Sequence, residues 1–293
     1  MIDFETTGVF YSTEAMTAGE AAEFAARIES LGYSALWLPE STGRDPFAHI
    51  AHLANHTERL GFATGIANIY HRLPGVTKQA ALTLAEQTDD RFLLGLGVSH
   101  ASMVEGLRGL DYSKPLTGMR QYLEEMEASA TTVKPSRERP QTVLAALGPK
   151  MLALAAEKTQ GAHPYATTPE HTAQAREILG PDKALMVEQR VCLSTDADTA
   201  RTAISKSINI HTQLPNYVNN WLWLGFAQDE ITDRAPRFVD AIGAWGDEDT
   251  IGRRIQAHYD AGATHVCIQP LNPDGGAGVP HWPALEALAP TPG

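Results

Sequence analysis

Three short segments combine glycine with polar side chains at points where apolar runs of the sequence end. Residues 95–100 read GLGVSH, residues 65–68 read GIAN and residues 147–150 read LGPK. Glycine within a buried strand lets a ligand approach the backbone closely. Because an imidazole titrates near neutral pH, His100 is a candidate to donate or accept a proton. We therefore predict a small-molecule site where these segments meet.

Residues 147–150 have the composition of a phosphate-binding loop between a strand and a helix. Pro149 suits the first position of a helix, and the free N–H groups and positive dipole at such a helix start favour a phosphate. Lys150 adds a positive charge. The same residues also suit an ordinary strand-to-helix connection, and the pattern alone leaves both interpretations open.

Polar and aromatic residues also follow other apolar runs. Glu40 ends the run SALWLPE, where a carboxylate is suited to bind a cofactor ring or to exchange a proton. His163 and Tyr165 end the run GAHPY and are candidates to line the same pocket. Arg72, after the third predicted strand, is a candidate to meet an anionic tail. A solvated loop and simple aromatic packing remain the alternatives for these residues.

No motif of a metalloenzyme, a P-loop protein or a serine hydrolase occurs in the chain. The signatures H-E-x-x-H, C-x-x-C and G-x-S-x-G are all missing. Cys192 and Cys267 lie far apart in apolar runs, which predicts buried free thiols rather than a disulfide or a metal site. Glycine-lined strand ends, one phosphate loop and few reactive side chains suit a redox cofactor that carries the chemistry itself.

Composition and charge limit the class of protein. Apolar residues make up 43% of the 293 residues, and glycine and proline are spread along the chain, so we predict a single domain over residues 1–293. The formal net charge of −12 disfavours nucleic acid and anionic membranes as partners. No apolar run approaches the roughly 20 residues of a membrane helix, and the first residues lack the apolar core of a secretory signal. These features predict a cytoplasmic protein.

Strand-like runs alternate with helical patterns along most of the chain, and this alternation is typical of a parallel sheet. The predicted strands are residues 7–11, 34–39, 60–67, 91–97, 141–147, 161–165, 185–194 and 264–269. Eight such strands favour a (β/α)8 barrel, in which ligands bind at the carboxyl ends of the strands. A doubly wound sheet is the main alternative, but the first strand is not followed by the G-x-G-x-x-G turn of a dinucleotide fold.

Residues 210–246, after the seventh predicted strand, interrupt the alternation. The segment is rich in Asn and Trp, and we expect it to be a helical insertion. Its large aromatic residues Trp221, Trp223 and Phe226 either form a wall on the substrate side of the site or pack into a core of the insertion itself.

The runs TGIANIYHR, RFLLGLGVSH, SALWLPE and LPNYVNNW together resemble the bacterial-luciferase-like superfamily. Within it, they resemble the deazaflavin-using oxidoreductases of actinobacteria, and the resemblance covers essentially the whole chain. It implies a (β/α)8 TIM barrel with an insertion late in the barrel, which binds coenzyme F420, or alternatively FMN, at the strand ends. It also implies a small-molecule substrate and a homodimer.

The same resemblance assigns roles to individual residues. It implies a cis peptide bond between Gly65 and Ile66, in a bulge that supports the cofactor ring. The implied contacts to the ring and its ribityl chain come from Glu40, Asn68, Gly97, Val98, Ser99 and His100. The implied phosphate site comprises Leu147, Gly148 and Pro149, and Lys150 and Arg72 are candidates for the charged tail of F420. Tyr165 is expected to line the pocket.

Two positions depart from the pattern of this superfamily. Some of its deazaflavin dehydrogenases have a histidine directly after the acid of the second strand, where this chain has Ser41, which argues against sugar-phosphate oxidation by that route. Where they carry a glutamate after the fourth strand, this chain has His100. His100 is therefore the first candidate for proton transfer, and Glu40 is the second.

Three functions follow as hypotheses. The first is an F420-dependent oxidoreductase that moves a hydride between the deazaflavin and a small organic substrate. The second is an FMN-dependent monooxygenase that uses reduced flavin and oxygen. The third, of another class, is a barrel that binds a ligand without turnover.

Overall fold

Eight parallel strands close into a barrel in the computed structural model, which describes Phe4 and residues 7–133, 140–274 and 278–290. The described residues form ten strand segments: β1 (Gly8–Phe10), β2 (Ala35–Leu38), β3 (Gly61–Thr64), β4 (Ala67–Asn68), β5 (Phe92–Gly97), β6 (Thr142–Leu144), β7 (Gly161–Ala162), β8 (Ala184–Leu193), β9 (Gly243–Gly246) and β10 (His265–Pro270). Among these residues β9 pairs with β8 alone and is not one of the eight barrel strands. The segments β3 and β4 share the third place in the barrel, and β10 pairs with both β8 and β1 to close it. The predicted (β/α)8 barrel is confirmed.

Twelve α-helices surround or cap the barrel within the described ranges. They are α1 (Ala18–Ser30), α2 (Pro46–Ala54), α3 (Pro74–Gln87), α4 (Pro115–Ala128), α5 (Pro149–Lys158), α6 (Pro169–Leu179), α7 (Ala197–Ile208), α8 (Pro215–Trp223), α9 (Gln228–Thr232), α10 (Pro236–Ile242), α11 (Glu248–Asp260) and α12 (Trp282–Ala287). A π-helical turn covers Ser102–Leu107. Thr17, Asp45 and Asp196 cap their helices through side-chain oxygens. Thr and Asp favour this position, so these residues mark the helix starts in the sequence. No helix in this part of the chain is long and apolar enough to cross a membrane.

The third barrel strand is interrupted, whereas the sequence predicts one strand over residues 60–67. The peptide bond between Gly65 and Ile66 is cis, as the family resemblance implied, and separates β3 from β4. Thr64 Oγ1 donates to the carbonyl oxygen of Gly95 at 2.8 Å and accepts from its N–H at 2.9 Å. A Cβ at residue 95 would lie 2.0 Å from the Thr64 carbonyl oxygen, so this close contact requires glycine there.

Strands β6 and β7 are shorter than the predicted strands 141–147 and 161–165. Beyond Leu144 and Ala162 the chain contributes Ala145, His163 and Tyr165 to the wall of a cavity. The first two of these residues still donate their backbone N–H groups to carbonyl oxygens of the neighbouring strands. The apolar runs are longer than the strands because their last residues line the cavity.

Residues 210–246 hold the helices α8, α9 and α10 and end in strand β9, which was not predicted. Strand β9 pairs with residues 190–193 of β8, on the edge opposite to β10. Trp221 and Phe226 belong to a separate core that these helices form with α7, whereas Trp223 lines the cavity. Both alternatives for the aromatic residues of the insertion are therefore realised, by different residues. Cys192 and Cys267 are free and fully buried, as predicted.

Buried histidines make the stability of the fold sensitive to pH. Burial lowers the pKa of His163 to about 4, and burial together with the nearby Arg254 charge lowers the pKa of His258 to about 3. Both values lie below the pKa of an unfolded histidine, which is about 6.5. Between the folded and the unfolded pKa, the unfolded chain therefore binds more protons than the folded chain. Stability is therefore fully present above about pH 6.5 and falls as the pH decreases toward 4.

We expect the urea midpoint to decrease between pH 7 and pH 5, and His258→Gln to reduce this decrease. His258 Nδ1 and Nε2 are hydrogen-bonded to Thr172 Oγ1 and Gln189 Oε1, at 2.8 and 2.9 Å, so the ring is held neutral. The matched control is His56→Asn, because His56 is exposed. An equal pH dependence in both variants would contradict this explanation.

Candidate active site

A cavity of about 790 Å³ lies at the carboxyl ends of the barrel strands, which is the size of an enzyme site for a cofactor or small molecule. The ends of β2 to β7 form one side, and the 3₁₀ turn His211–Gln213 and helix α8 form the other. The predicted site residues in its wall are Glu40, Gly65, Ile66, Asn68, Gly97, Val98, Ser99, His100, Leu147, Gly148, Pro149 and Tyr165. Lys150 is exposed and is not part of the wall.

Both carboxylate oxygens of Glu40 are already engaged. Oε2 accepts a hydrogen bond from the backbone N–H of Asn68 at 2.7 Å, and Oε1 lies 2.5 Å from Arg72 Nη2 and 3.2 Å from His71 Nδ1. Arg72 also forms an ion pair with Asp45, so two carboxylates already balance its charge, while its Nη1 has no hydrogen-bond partner among the described residues. Its predicted contact with an anionic tail stays a prediction. These contacts tie Glu40 to β4 and occupy both of its oxygens, which suits positioning better than proton transfer.

His100 lies just beyond β5, on a turn that other residues hold in place. Ser99 has the left-handed backbone angle φ of 56°, and its carbonyl oxygen accepts a hydrogen bond from the Tyr112 hydroxyl at 2.8 Å. Burial lowers the pKa of His100, and a hydrogen bond with Asn216 partly offsets this effect. His100 Nδ1 has no hydrogen-bond partner among the described residues. A buried, neutral imidazole of this kind can accept a proton from a bound ligand.

The predicted phosphate loop is the N-terminus of α5. Gly148 is the N-cap residue, and no side chain caps the first N–H groups of the helix. A Cβ at Gly148 would meet no atom within 4 Å, so the space in front of the helix is open. Leu147, Gly148 and Met151 line the cavity there. The free N–H groups and the helix dipole therefore favour an anionic group at this end of the cavity.

A buried ion pair supports the cavity wall at Tyr165. Glu188 and Arg190 on β8 are 0% and 1% exposed, and Glu188 Oε2 lies 3.2 Å from Arg190 Nη1. The Arg190 guanidinium carbon lies 4.5 Å from the centre of the Tyr165 ring, and the Tyr165 hydroxyl donates to Gln269 Oε1 at 2.9 Å. Burial raises the pKa of Tyr165 to about 12. Tyr165 is thus a protonated, firmly held part of the wall.

Several residues of the cavity wall were not predicted from the sequence. On α8 these are Asn216, Tyr217 and Asn220, which share one helix face with Trp223. Tyr217, Asn220 and Trp223 lie one, four and seven positions after Asn216, and this helical spacing is the signal that could have identified them. Arg108 also lines the cavity, and its guanidinium donates to the carbonyl oxygens of Ser41 and Met103.

The family model of luciferase-like monooxygenases matches residues 2–265 of the chain. The chain belongs to this family. A putative coenzyme F420-dependent oxidoreductase of Mycobacterium tuberculosis is 29% identical over 188 residues, which are 54% of this chain and 54% of that protein. The chain thus matches about half the length of this curated relative.

Two solved structures of the family share the fold at low sequence identity. An F420-dependent secondary alcohol dehydrogenase, in complex with an F420-acetone adduct, has a TM-score of 0.74 at 16% identity, over 90% of this chain and 93% of that chain. The oxygenating component of the 3,6-diketocamphane monooxygenase of Pseudomonas putida, in complex with FMN, has a TM-score of 0.71 at 15% identity, over 97% of each chain.

Proposed function

We propose that this protein is an F420-dependent oxidoreductase that interconverts a small alcohol and its carbonyl compound. The observation that carries the proposal is a single cavity that joins glycine-lined strand ends, the neutral His100 and the uncapped N-terminus of α5. The mycobacterial relative and the alcohol dehydrogenase structure, both named for F420, support the choice of cofactor.

The residues of the cavity fit a flat ring that carries a phosphate. Gly65 and Gly97 leave the strand ends without side chains, and the start of α5 offers free N–H groups to an anion. Bound there, F420 would accept or return the hydride, which is chemistry that protein side chains cannot supply. In the oxidative direction His100 takes up the hydroxyl proton as the carbonyl forms, and it returns this proton in the reverse direction.

Catalysis by FMN and oxygen is the second candidate, and the FMN-bound monooxygenase structure is the observation that favours it. The two cofactors differ in their tails, because F420 carries a lactyl-oligoglutamate beyond the phosphate. Of the two cations proposed for that tail, Arg72 is engaged with Glu40 and Asp45, and the exposed Lys150 beside the start of α5 remains available. The homodimer that the family resemblance implied stays a prediction, which analytical ultracentrifugation would test.

Isotope transfer distinguishes the two chemistries. We expect deuterium from reduced F420 labelled at C5 to appear on the carbinol carbon of the alcohol formed from a neutral ketone under anaerobic conditions. Product that contains oxygen from O₂ and forms only with reduced FMN would instead establish the monooxygenase. A panel of neutral ketones, enones and alcohols is suitable for both assays.

Gly97→Ala is expected to weaken cofactor binding about tenfold or more, which corresponds to about 1.4 kcal/mol. The added Cβ would lie 2.4 Å from Ile66 Cδ1 and 2.5 Å from Cγ1, so Ile66 must move within the cavity wall. Fluorescence titration of F420 measures the effect. Gly118→Ala on α4 is the control, because its Cβ would meet only the Tyr70 hydroxyl at 3.9 Å. Equal affinity of both variants would place the cofactor elsewhere.

A further inference from the structure

Asn220 is a buried carboxamide in the cavity wall. It lies on α8 and is only 3% exposed. Neither its Oδ1 nor its Nδ2 has a hydrogen-bond partner among the described residues. Buried amide groups in folded proteins are nearly always paired, and an unpaired donor and acceptor in a cavity indicate that a ligand completes the site.

His211 presents a second unpaired group of the insertion in the same wall. Its Nδ1 has no partner in the part of the chain that the structure describes. Its ring lies 4.7 Å from that of Tyr217, which in turn lies 5.8 Å from that of His100. Burial, together with the charge of Arg190, lowers the pKa of His211 to about 3, and burial raises the pKa of Tyr217. These hydrogen-bonding groups are therefore uncharged at neutral pH.

The charged side chains of the cavity wall, Glu40 and Arg108, come from outside the insertion. Glu40 is paired with Arg72, and Arg108 donates to the carbonyl oxygens of Met103 and Ser41. The cavity-lining residues that the insertion contributes are all uncharged: Ile210, His211, Leu214, Asn216, Tyr217, Asn219, Asn220 and Trp223. A charged substrate group on this side would be buried without a counter-ion, which is unfavourable.

Arg190 is the buried cation nearest to these groups, and it does not provide such a counter-ion. It lies behind the Tyr165 ring, outside the cavity wall, and Glu188 neutralises it. At the rim, the apolar side chains of Ile210 and Trp223 line the cavity and are 57% and 42% exposed. An apolar molecule would cover this exposed surface on entry.

From these features we infer that the insertion selects an uncharged, largely apolar alcohol or carbonyl compound, and that Asn220 and His211 determine this specificity. The inference rests on the proposed function and adds the substrate class. The Asn220 carboxamide and the His211 imidazole offer hydrogen bonds to the polar part of the ligand. Its apolar part contacts the aromatic residues of α8 that line the cavity and the aliphatic residues Ile210 and Leu214 that precede this helix.

Direct binding of matched ligands tests the inference without any turnover. Calorimetry of the full-length protein, with and without F420, compares methylcyclohexanone with oxocyclohexanecarboxylate. The second compound has a similar size but carries a negatively charged carboxylate in place of the methyl group. We expect the neutral ketone to bind at least tenfold more tightly. Equal or tighter binding of the carboxylate would overturn the inference. F420 affinity is measured separately by fluorescence. A protein that does not bind F420 would contradict the proposed function, but its preference between the two ligands could still be measured.

A pair of isosteric variants locates the specificity. Asn220→Asp introduces a buried charge and is expected to weaken binding of the neutral ketone at least tenfold. The control is the isosteric variant Gln228→Glu, at an exposed position on α9 of the same insertion and outside the cavity wall, which is expected to leave this binding unchanged. Asn220→Leu is a further variant, without a buried charge. Its affinity for methylcyclohexanone should be no higher than its affinity for methylcyclohexane, which lacks the carbonyl group. Indistinguishable effects of Asn220→Asp and Gln228→Glu, or an unaltered preference for the ketone in Asn220→Leu, would contradict the role of Asn220.

Discussion

His100→Asn is expected to lower the turnover number about 10²- to 10⁴-fold, the usual contribution of a general acid or base. The variant keeps a polar side chain at the end of β5 but removes the only titrating group proposed to hold the substrate proton. Because His100 is only one of several residues proposed to contact the cofactor, F420 affinity should change far less. Steady-state kinetics with the best neutral alcohol of the panel, together with an F420 titration, measures both quantities.

The pH profile separates proton transfer from simple packing. Burial holds the pKa of His100 below its usual value, so kcat/KM for alcohol oxidation should fall as the pH decreases through that pKa and protonates the base. The variant should lose this acidic limb. His52→Asn, at an exposed position of α2, serves as the control. A parallel loss of F420 affinity and turnover, with the acidic limb retained, would show that His100 only shapes the cavity.

Arg190→Met is expected to lower the free energy of unfolding by about 3–5 kcal/mol, because it leaves the buried Glu188 carboxylate without its counter-ion. Glu188 and Arg190 are almost completely buried, and Glu188 Oε2 also accepts a hydrogen bond from the Ala166 N–H at 2.9 Å. The double variant Arg190→Met with Glu188→Gln removes both charges and should recover most of the loss. Urea unfolding monitored by circular dichroism measures the free energy of unfolding of the unaltered protein, of Arg190→Met and of the double variant.

An exposed ion pair provides the matched control for this cycle. Arg120 binds Glu157 through two hydrogen bonds of 2.7 Å, but both side chains are largely solvated. Arg120→Met should therefore lower the free energy of unfolding far less than Arg190→Met, because solvent screens the exposed pair. If Arg190→Met cost no more than Arg120→Met, the buried pair would not be the support of Tyr165 that the structure indicates.

Much of the barrel could be predicted because its signals are local. Continuous apolar runs identified the strands, and Thr17, Asp45 and Asp196 identified the starts of helices. Strand ends brought most of the predicted site residues into one cavity, since the carboxyl ends of parallel strands share one face of a barrel. The cis bond followed from the family resemblance and not from the residue pattern.

What the sequence did not predict depends on contacts between distant parts of the chain. Strand β9 is the short segment GAWG, whose glycines carry no strand signal and which forms only because β8 offers an open edge. Glu188 and Arg190 were assigned to a strand, but only the fold shows that they neutralise each other beneath Tyr165. The sequence does not distinguish Asn220 from the neighbouring asparagines, and only the fold shows that it lies in the cavity wall.

Binding of the purified protein to F420 and, separately, to FMN tests the central claim most directly. Fluorescence titration of each cofactor should show micromolar or tighter binding of F420 and at least tenfold weaker binding of FMN. Gly97→Ala should weaken the F420 titration and Gly118→Ala should not, which locates the cofactor in the cavity. Preferential binding of FMN, or binding of neither cofactor, would contradict the assignment of this cavity as an F420 site.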